Sequence, residues 1–128
     1  VSAASNYLEN KLIDHSLGTT SFTAPSTVYV ALFTSDPTDA GTGTEVSGGG
    51  YARQSATFAA ASSGSASTDA TVTFPTATGN FGTVTHVAIF DAVTTGNMLF
   101  HGAVTTSKTI ETGDTFQIST GNLTISLD

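Results

Sequence analysis

The chain has no cysteine and no tryptophan. Without Cys there are no disulfides, no thiol chemistry and no Cys-ligated zinc, and the redox compartment stays open. Positive charge is almost as scarce. Lys11, Arg53 and Lys108 are the only Lys or Arg residues against ten acidic ones, for a net charge of −7. Binding to a nucleic-acid backbone needs a basic footprint, so that function is excluded, and attraction to an anionic membrane surface fails for the same reason. No apolar run approaches the roughly 18 residues that span a bilayer. No charged-then-apolar leader is visible, so no secretory signal is expected. Charged residues make up 10% of the chain, against about 25% in an average soluble domain.

Hydroxyls take the place of the missing charge. The 128 residues include 25 Thr and 15 Ser, with 13 Gly and three Pro. Thr is β-branched and suits a pleated, half-wet surface, so the composition predicts β structure. The length predicts a single domain over residues 1–128, divided into an N-terminal helix arm (1–18) and a β domain (19–128).

The helix is predicted over 3–17. Ser2 or Ser5 can cap it, Leu8, Leu12 and Leu17 with Ile13 fall near one face, and Gly18 sits where a C′ glycine belongs. Beyond it the pattern changes to strands and turns. The run Val28-Tyr29-Val30-Ala31-Leu32-Phe33 is apolar on both faces and predicts a central strand covered on both sides. A long surface loop follows over 34–43, and Gly48-Gly49-Gly50 predicts a tight turn or bulge with positive φ. Further strands are expected over 51–58, 71–74, 83–90, 98–104, 116–119 and 123–127, with 59–68 a mobile loop by composition. Thr94-Thr95-Gly96-Asn97 predicts a hairpin turn. The fold expected is mainly β, an antiparallel sandwich or barrel of about seven to eight short strands with one N-terminal α-helix. Its core candidates are Val28, Val30, Leu32, Phe58, Val72, Phe74, Val87, Ile89, Leu99, Phe116, Ile118, Leu123 and Ile125.

Motifs for chemistry are weak. Glycoside hydrolysis needs two facing carboxylates; Asp91 with Asp39 or Glu45 supplies acidity without a pattern, and Asp91 reads better as a strand end that starts a turn. His15, His86 and His101 accompany many serines, yet no Gly-x-Ser-x-Gly elbow occurs. His86 and His101 fall on neighbouring predicted strands, short of the three or four ligands of a zinc site. Asp36, Asp39 and Glu45 lack the Asp-x-Asp-x-Asp-Gly spacing of a calcium loop. Asn122-Leu123-Thr124 forms a sequon, a motif short enough to arise by chance. No catalytic residue, metal or cofactor is expected.

Two stretches carry a family pattern. The first is Pro25-Ser26-Thr27-Val28-Tyr29-Val30-Ala31-Leu32-Phe33-Thr34-Ser35-Asp36-Pro37-Thr38-Asp39-Ala40-Gly41, continuing through Glu45-Val46-Ser47-Gly48-Gly49-Gly50-Tyr51-Ala52-Arg53. The second is Phe81-Gly82-Thr83-Val84-Thr85-His86-Val87-Ala88-Ile89-Phe90-Asp91-Ala92, continuing through Gly96-Asn97-Met98-Leu99-Phe100-His101-Gly102. Together with Asn6-Tyr7-Leu8-Glu9-Asn10 and Gly113-Asp114-Thr115-Phe116, they resemble a family of small tailed-bacteriophage virion structural proteins, commonly labelled tail-fibre or minor tail proteins. The resemblance implies a virion part, assembled in the bacterial host cytoplasm, and carries no functional site.

The function expected is a non-enzymatic accessory subunit on the virion surface. The small size favours a capsid decoration or cement protein. A minor tail or tail-fibre protein is the first alternative, and a carbohydrate-binding β-sandwich module the second. Partners expected are other copies of the chain, in a closed homo-oligomer such as a trimer, and major capsid or tail subunits. Leu8, Leu12, Tyr7 and Tyr51 are the candidate assembly contacts, and the two tyrosines are also the aromatics to examine for sugar stacking.

Overall fold

The protein is described here by a computed structural model covering residues 3–127. Its single helix, α1 (Asn6–Ser16), starts later than the 3–17 expected from the sequence. Ala3 and Ala4 have high helix propensity but instead form a two-residue strand, β1 (Ala3–Ala4). The reason lies in Ser5, the N-cap. Its backbone is extended (φ −71°, ψ 160°) and its Oγ accepts from the Leu8 N–H at 3.2 Å. Its own N–H donates to the Leu99 carbonyl at 2.9 Å, and its hydroxyl donates to the Met98 carbonyl. A cap tied to a strand on both sides carries the residues before it along that strand.

The main sheet has five strands in the order β1-β7-β6-β2-β3, all antiparallel neighbours. Its members are β2 (Val28–Phe33), β3 (Gln54–Ala56), β6 (Gly82–Phe90) and β7 (Met98–Ile110), besides β1. Two ribbons complete the strands: β4 (Ser65–Ser67) pairs with β9 (Thr124–Ser126), and β5 (Val72–Thr73) with β8 (Gln117–Ile118). The architecture is therefore mainly β with one helix. One large sheet carries a broken second layer in place of two full sheets.

The two faces of β2 explain its doubly apolar sequence. Val30 and Leu32, both fully buried, point into the larger core with Val87, Ile89, Val84, Phe74, Phe81 and Leu8. Each such side chain contributes about 1.5–3 kcal/mol by burial. Every predicted core residue belongs to this cluster, although Val28, Phe58, Phe116, Ile118, Leu123 and Ile125 are only partly buried in it. Ala31 and Phe33 point the other way, into a second cluster with Ala88, Phe90 and Met98. The 34–45 segment folds over that side. Its Pro37 is fully buried, and the Phe33 and Phe90 rings stack with centroids 6.2 Å apart.

Three expectations need correction. The 59–68 segment contains β4, whose small residues Ser65, Ala66 and Ser67 carry no apolar signal; the strand exists because β9 offers a partner, with Ser67 Oγ 2.7 Å from Thr124 Oγ1. The 51–58 strand shrinks to Gln54–Ala56. Residues 44–46 then take over the β2 edge, Thr34 N–H donating to the Thr44 carbonyl and Val46 N–H to the Leu32 carbonyl, both at 2.9 Å. The strand expected over 98–104 runs on to Ile110, past a register shift between Val84 and His86.

The triple glycine behaves as expected, with φ of +77°, +59° and +79°. A Cβ on Gly49 would sit 2.5 Å from the Gly79 carbonyl oxygen, so only glycine lets the two turns touch.

Candidate functional site

Arg53 is the residue that organises the polar interior. Its side chain is 8% exposed. Nε and Nη2 donate to Glu45 Oε2 and Oε1, each at 2.8 Å, in a two-pronged ion pair. Nη1 donates to the carbonyls of Ala92 (3.0 Å) and Thr95 (2.7 Å), on the turn between β6 and β7. The guanidinium carbon lies 3.7 Å from the Phe90 ring centroid, over the second core cluster. One cation therefore fastens the end of the 34–45 segment to the β6–β7 turn and seals an aromatic face.

Tyr51 extends this brace into the main core. Its hydroxyl donates to Glu45 Oε2 at 2.7 Å and accepts from the Leu32 N–H at 3.0 Å. Its ring stacks on Phe74 (6.1 Å) and meets Phe81 edge-on (5.7 Å). Burial works to raise the Glu45 carboxyl, but the hydrogen bonds from Arg53 and Tyr51 outweigh it and hold the group below its ordinary value. Burial, followed by donation to that carboxylate, pushes the Tyr51 hydroxyl far up. Glu45 is a structural anion and Tyr51 an internal strut.

Asp91 ends β6 and closes the turn, its Oδ1 accepting from Asn97 N–H at 2.7 Å and its Oδ2 from Asn97 Nδ2 at 3.0 Å. Asp39 stands 2.7 Å from His101 Nε2, latching the 34–45 segment to β7, while Asp36 is 3.9 Å from His101 Nδ1. The two carboxylates approach opposite nitrogens of one ring and so do not share a ligand position. His86 and His101 sit on paired strands but two residues out of step, opposite Ala103 and Ala88 respectively. Nδ1 of His86 lies 2.8 Å from Thr85 Oγ1, and Nδ1 of His15 accepts from the Phe22 N–H at 3.1 Å. Among the described residues no three His, Asp or Glu side chains are grouped to hold a metal ion. Among them, too, no helix is long and apolar enough to cross a membrane.

The helix residues separate by face. Leu8 is 4% exposed and belongs to the chain's own core, with Leu12 and Tyr7 packed partly against it. Leu8 is thus buried in the chain's own core, and Leu12 is half-buried beside it. Ile13 (55%) and Leu17 (77%), four residues apart, are the apolar side chains that α1 turns outward. Tyr7 carries the Lys11 ammonium 5.7 Å from its ring centroid.

Sequence reasoning missed the part played by Arg53. The available signal was its isolation: a lone cation inside a strand-like run of a chain of net charge −7 is expected to be held by carboxylates. The pairing with Glu45 was beyond the pattern, because the loop that returns the glutamate to β2 has no periodicity.

Residues 3–126 match the family model described as "Podophage GP4 fiber I protein gp80". No curated protein matches the chain.

Proposed function

The chain belongs to the podophage GP4 fibre I protein family, and from that premise we propose that it is a non-enzymatic structural subunit of a virion fibre. The observation that carries this reading is the match over residues 3–126, which places nearly the whole chain inside a fibre-protein family. The geometry supports it. The carboxylates and histidines that chemistry would need hold turns and loops together: Glu45 on Arg53, Asp91 on Asn97, Asp39 on His101. The family description favours the fibre over the capsid surface, where size alone had pointed.

Self-association is part of the proposal, with a closed trimer as the expected assembly. Its support is apolar surface left open in a single chain. A cleft of about 230 Å³ runs between β7 and the second layer, lined by Phe100, Val104, Phe116, Ile118, Leu123 and Ile125. A second, of about 310 Å³, adjoins it through Ile89, Phe100 and Ile125. No acidic residue lines either cleft, so two chains of net charge −7 can meet there without direct repulsion. Assembly in the bacterial cytoplasm follows from the virion role.

The test is location. Gold-labelled antibody on purified particles, with the copy number measured against the major capsid protein, is expected to mark fibres and give a small multiple of the fibre count. Label spread over the head at capsid-like abundance would reject the fibre and restore the decoration role.

A further inference from the structure

The polar groups of the Arg53–Glu45–Tyr51 brace are occupied by one another and by backbone groups. A different arrangement holds in a cavity of about 410 Å³ where the start of α1, the 39–41 segment and the β6–β7 turn meet. Phe90 and Met98, both nearly buried, form its apolar base, and Tyr7 supplies an aromatic wall. Asn6, Asp39 and Asn97 line the exposed rim.

Each rim residue is fixed at one end and open at the other. Asn97 uses its N–H and Nδ2 on Asp91, which leaves its Oδ1 without a partner. Asp39 has Oδ1 held by His101 and its carbonyl by the Asn6 N–H (2.9 Å), which leaves Oδ2. The Asn6 carboxamide and the Tyr7 hydroxyl likewise make no hydrogen bond within the described residues. Two acceptors, one donor–acceptor amide and one phenol therefore converge over an apolar floor, held on a frame that is already hydrogen-bonded.

We propose that this cavity is a binding site for a neutral pyranose sugar. A pyranose has an apolar C–H face, which suits Met98 and the Tyr7 ring, and a rim of hydroxyls that both donate and accept, which suits Asn6, Asp39 and Asn97. The Asp39 carboxylate and the net charge of −7 oppose an anionic sugar. Tyr51, the other aromatic considered for stacking, has its hydroxyl and both ring neighbours inside the protein and takes no part. The inference rests on the cavity and not on the fibre reading, so sugar binding and particle location succeed or fail separately.

The experiment is saturation-transfer NMR on the full chain with methyl glycosides of glucose, galactose, mannose, rhamnose and N-acetylglucosamine, with glucuronic acid as the anionic comparison. At least one neutral glycoside is expected to receive saturation. Asn6→Ala, at an exposed helix position, is expected to weaken binding up to about tenfold, the value of one hydrogen bond. Ala40→Trp fills the cavity from its exposed wall without removing a hydrogen-bonding side chain and is expected to abolish the signal, with an unchanged melting curve showing that the fold is intact. Absence of transfer from every neutral glycoside overturns the proposal. So does transfer that persists undiminished in folded Ala40→Trp, or transfer from glucuronic acid alone.

Discussion

Replacing Tyr51 with Phe removes one oxygen and keeps the ring between Phe74 and Phe81. Two consequences follow from the geometry. The Leu32 N–H, on a residue with no solvent exposure, loses its acceptor at 3.0 Å between the last β3 pairing at Val30 and the 44–46 segment, whose Val46 N–H uses only the Leu32 carbonyl. Glu45 loses a donor at 2.7 Å while its two bonds to Arg53 remain. An unsatisfied buried donor costs about 1–3 kcal/mol, and a hydrogen bond to a charged group is worth about 1.5–3 kcal/mol. Because the Glu45 side chain is 25% exposed, water can replace part of the second loss, so the lower half of the combined range applies, about 2.5–4 kcal/mol. Against a typical global stability of about 5–15 kcal/mol this is large. With an unfolding entropy of about 2.1 cal/mol/K per residue, it corresponds to a fall in Tm of about 9–15 °C for a chain this long. Urea denaturation followed by circular dichroism measures the free-energy change directly, and the slope with denaturant is expected to stay constant. A change below about 0.5 kcal/mol, the range of ordinary surface substitutions, would refute the reasoning. It would show that the strand edge beside Leu32 needs no side-chain cap.

The same cluster fixes the pH limits of stability. Glu45 is depressed in the folded state, so its contribution is present above the unfolded carboxylate value of about 4.3 and is lost as pH falls through the lower folded value. Tyr51 is raised, so above about pH 10, where the unfolded phenol ionises, stability falls with rising pH; Tyr51→Phe is expected to remove its share of the alkaline slope in a pH series of urea melts. Arg53→Met leaves Glu45 as a half-buried carboxylate without its cation and frees the Ala92 and Thr95 carbonyls; a loss of about 3–5 kcal/mol is expected by the same melts, and a neutral result would show that the β6–β7 turn holds itself. Trypsin has three cleavage residues, Lys11 within α1, Lys108 within β7 and the enclosed Arg53, so the native protein is expected to resist digestion until it unfolds; rapid cutting at Lys108 would show that the far end of β7 opens locally. Ile13→Ser with Leu17→Ser changes only outward-facing side chains and is expected to leave Tm nearly unchanged. If light scattering shows an oligomer that this pair of changes leaves intact, the helix is not the contact element.

Much of the fold was decided locally, and those parts could be read directly. Alternation and apolar runs placed β2, β6, β8 and β9 because a strand's side chains divide between two faces whatever it pairs with. Gly18 marked the end of α1 because a left-handed residue makes the same demand in every helix (φ +77°), whereas Ser5 was one of two serines offered as the cap and its bonds to β7 made the choice. The absence of a spaced ligand set or nucleophile pattern was likewise a property of the string, and the family pattern lay in residues that are contiguous along the chain. Tertiary structure decided the rest. Ala3 and Ala4 became a strand because β7 offered an edge, against their own propensity. Residues 65–67 became one because β9 did. The pairing of Glu45 with Arg53, the capping of Leu32 by Tyr51 and the convergence of Asn6, Asp39 and Asn97 on one cavity join residues whose spacing has no period. Burial and hydrogen bonding act on distance in space, and the chain reports that distance only where a repeating backbone geometry converts separation along the sequence into separation in space.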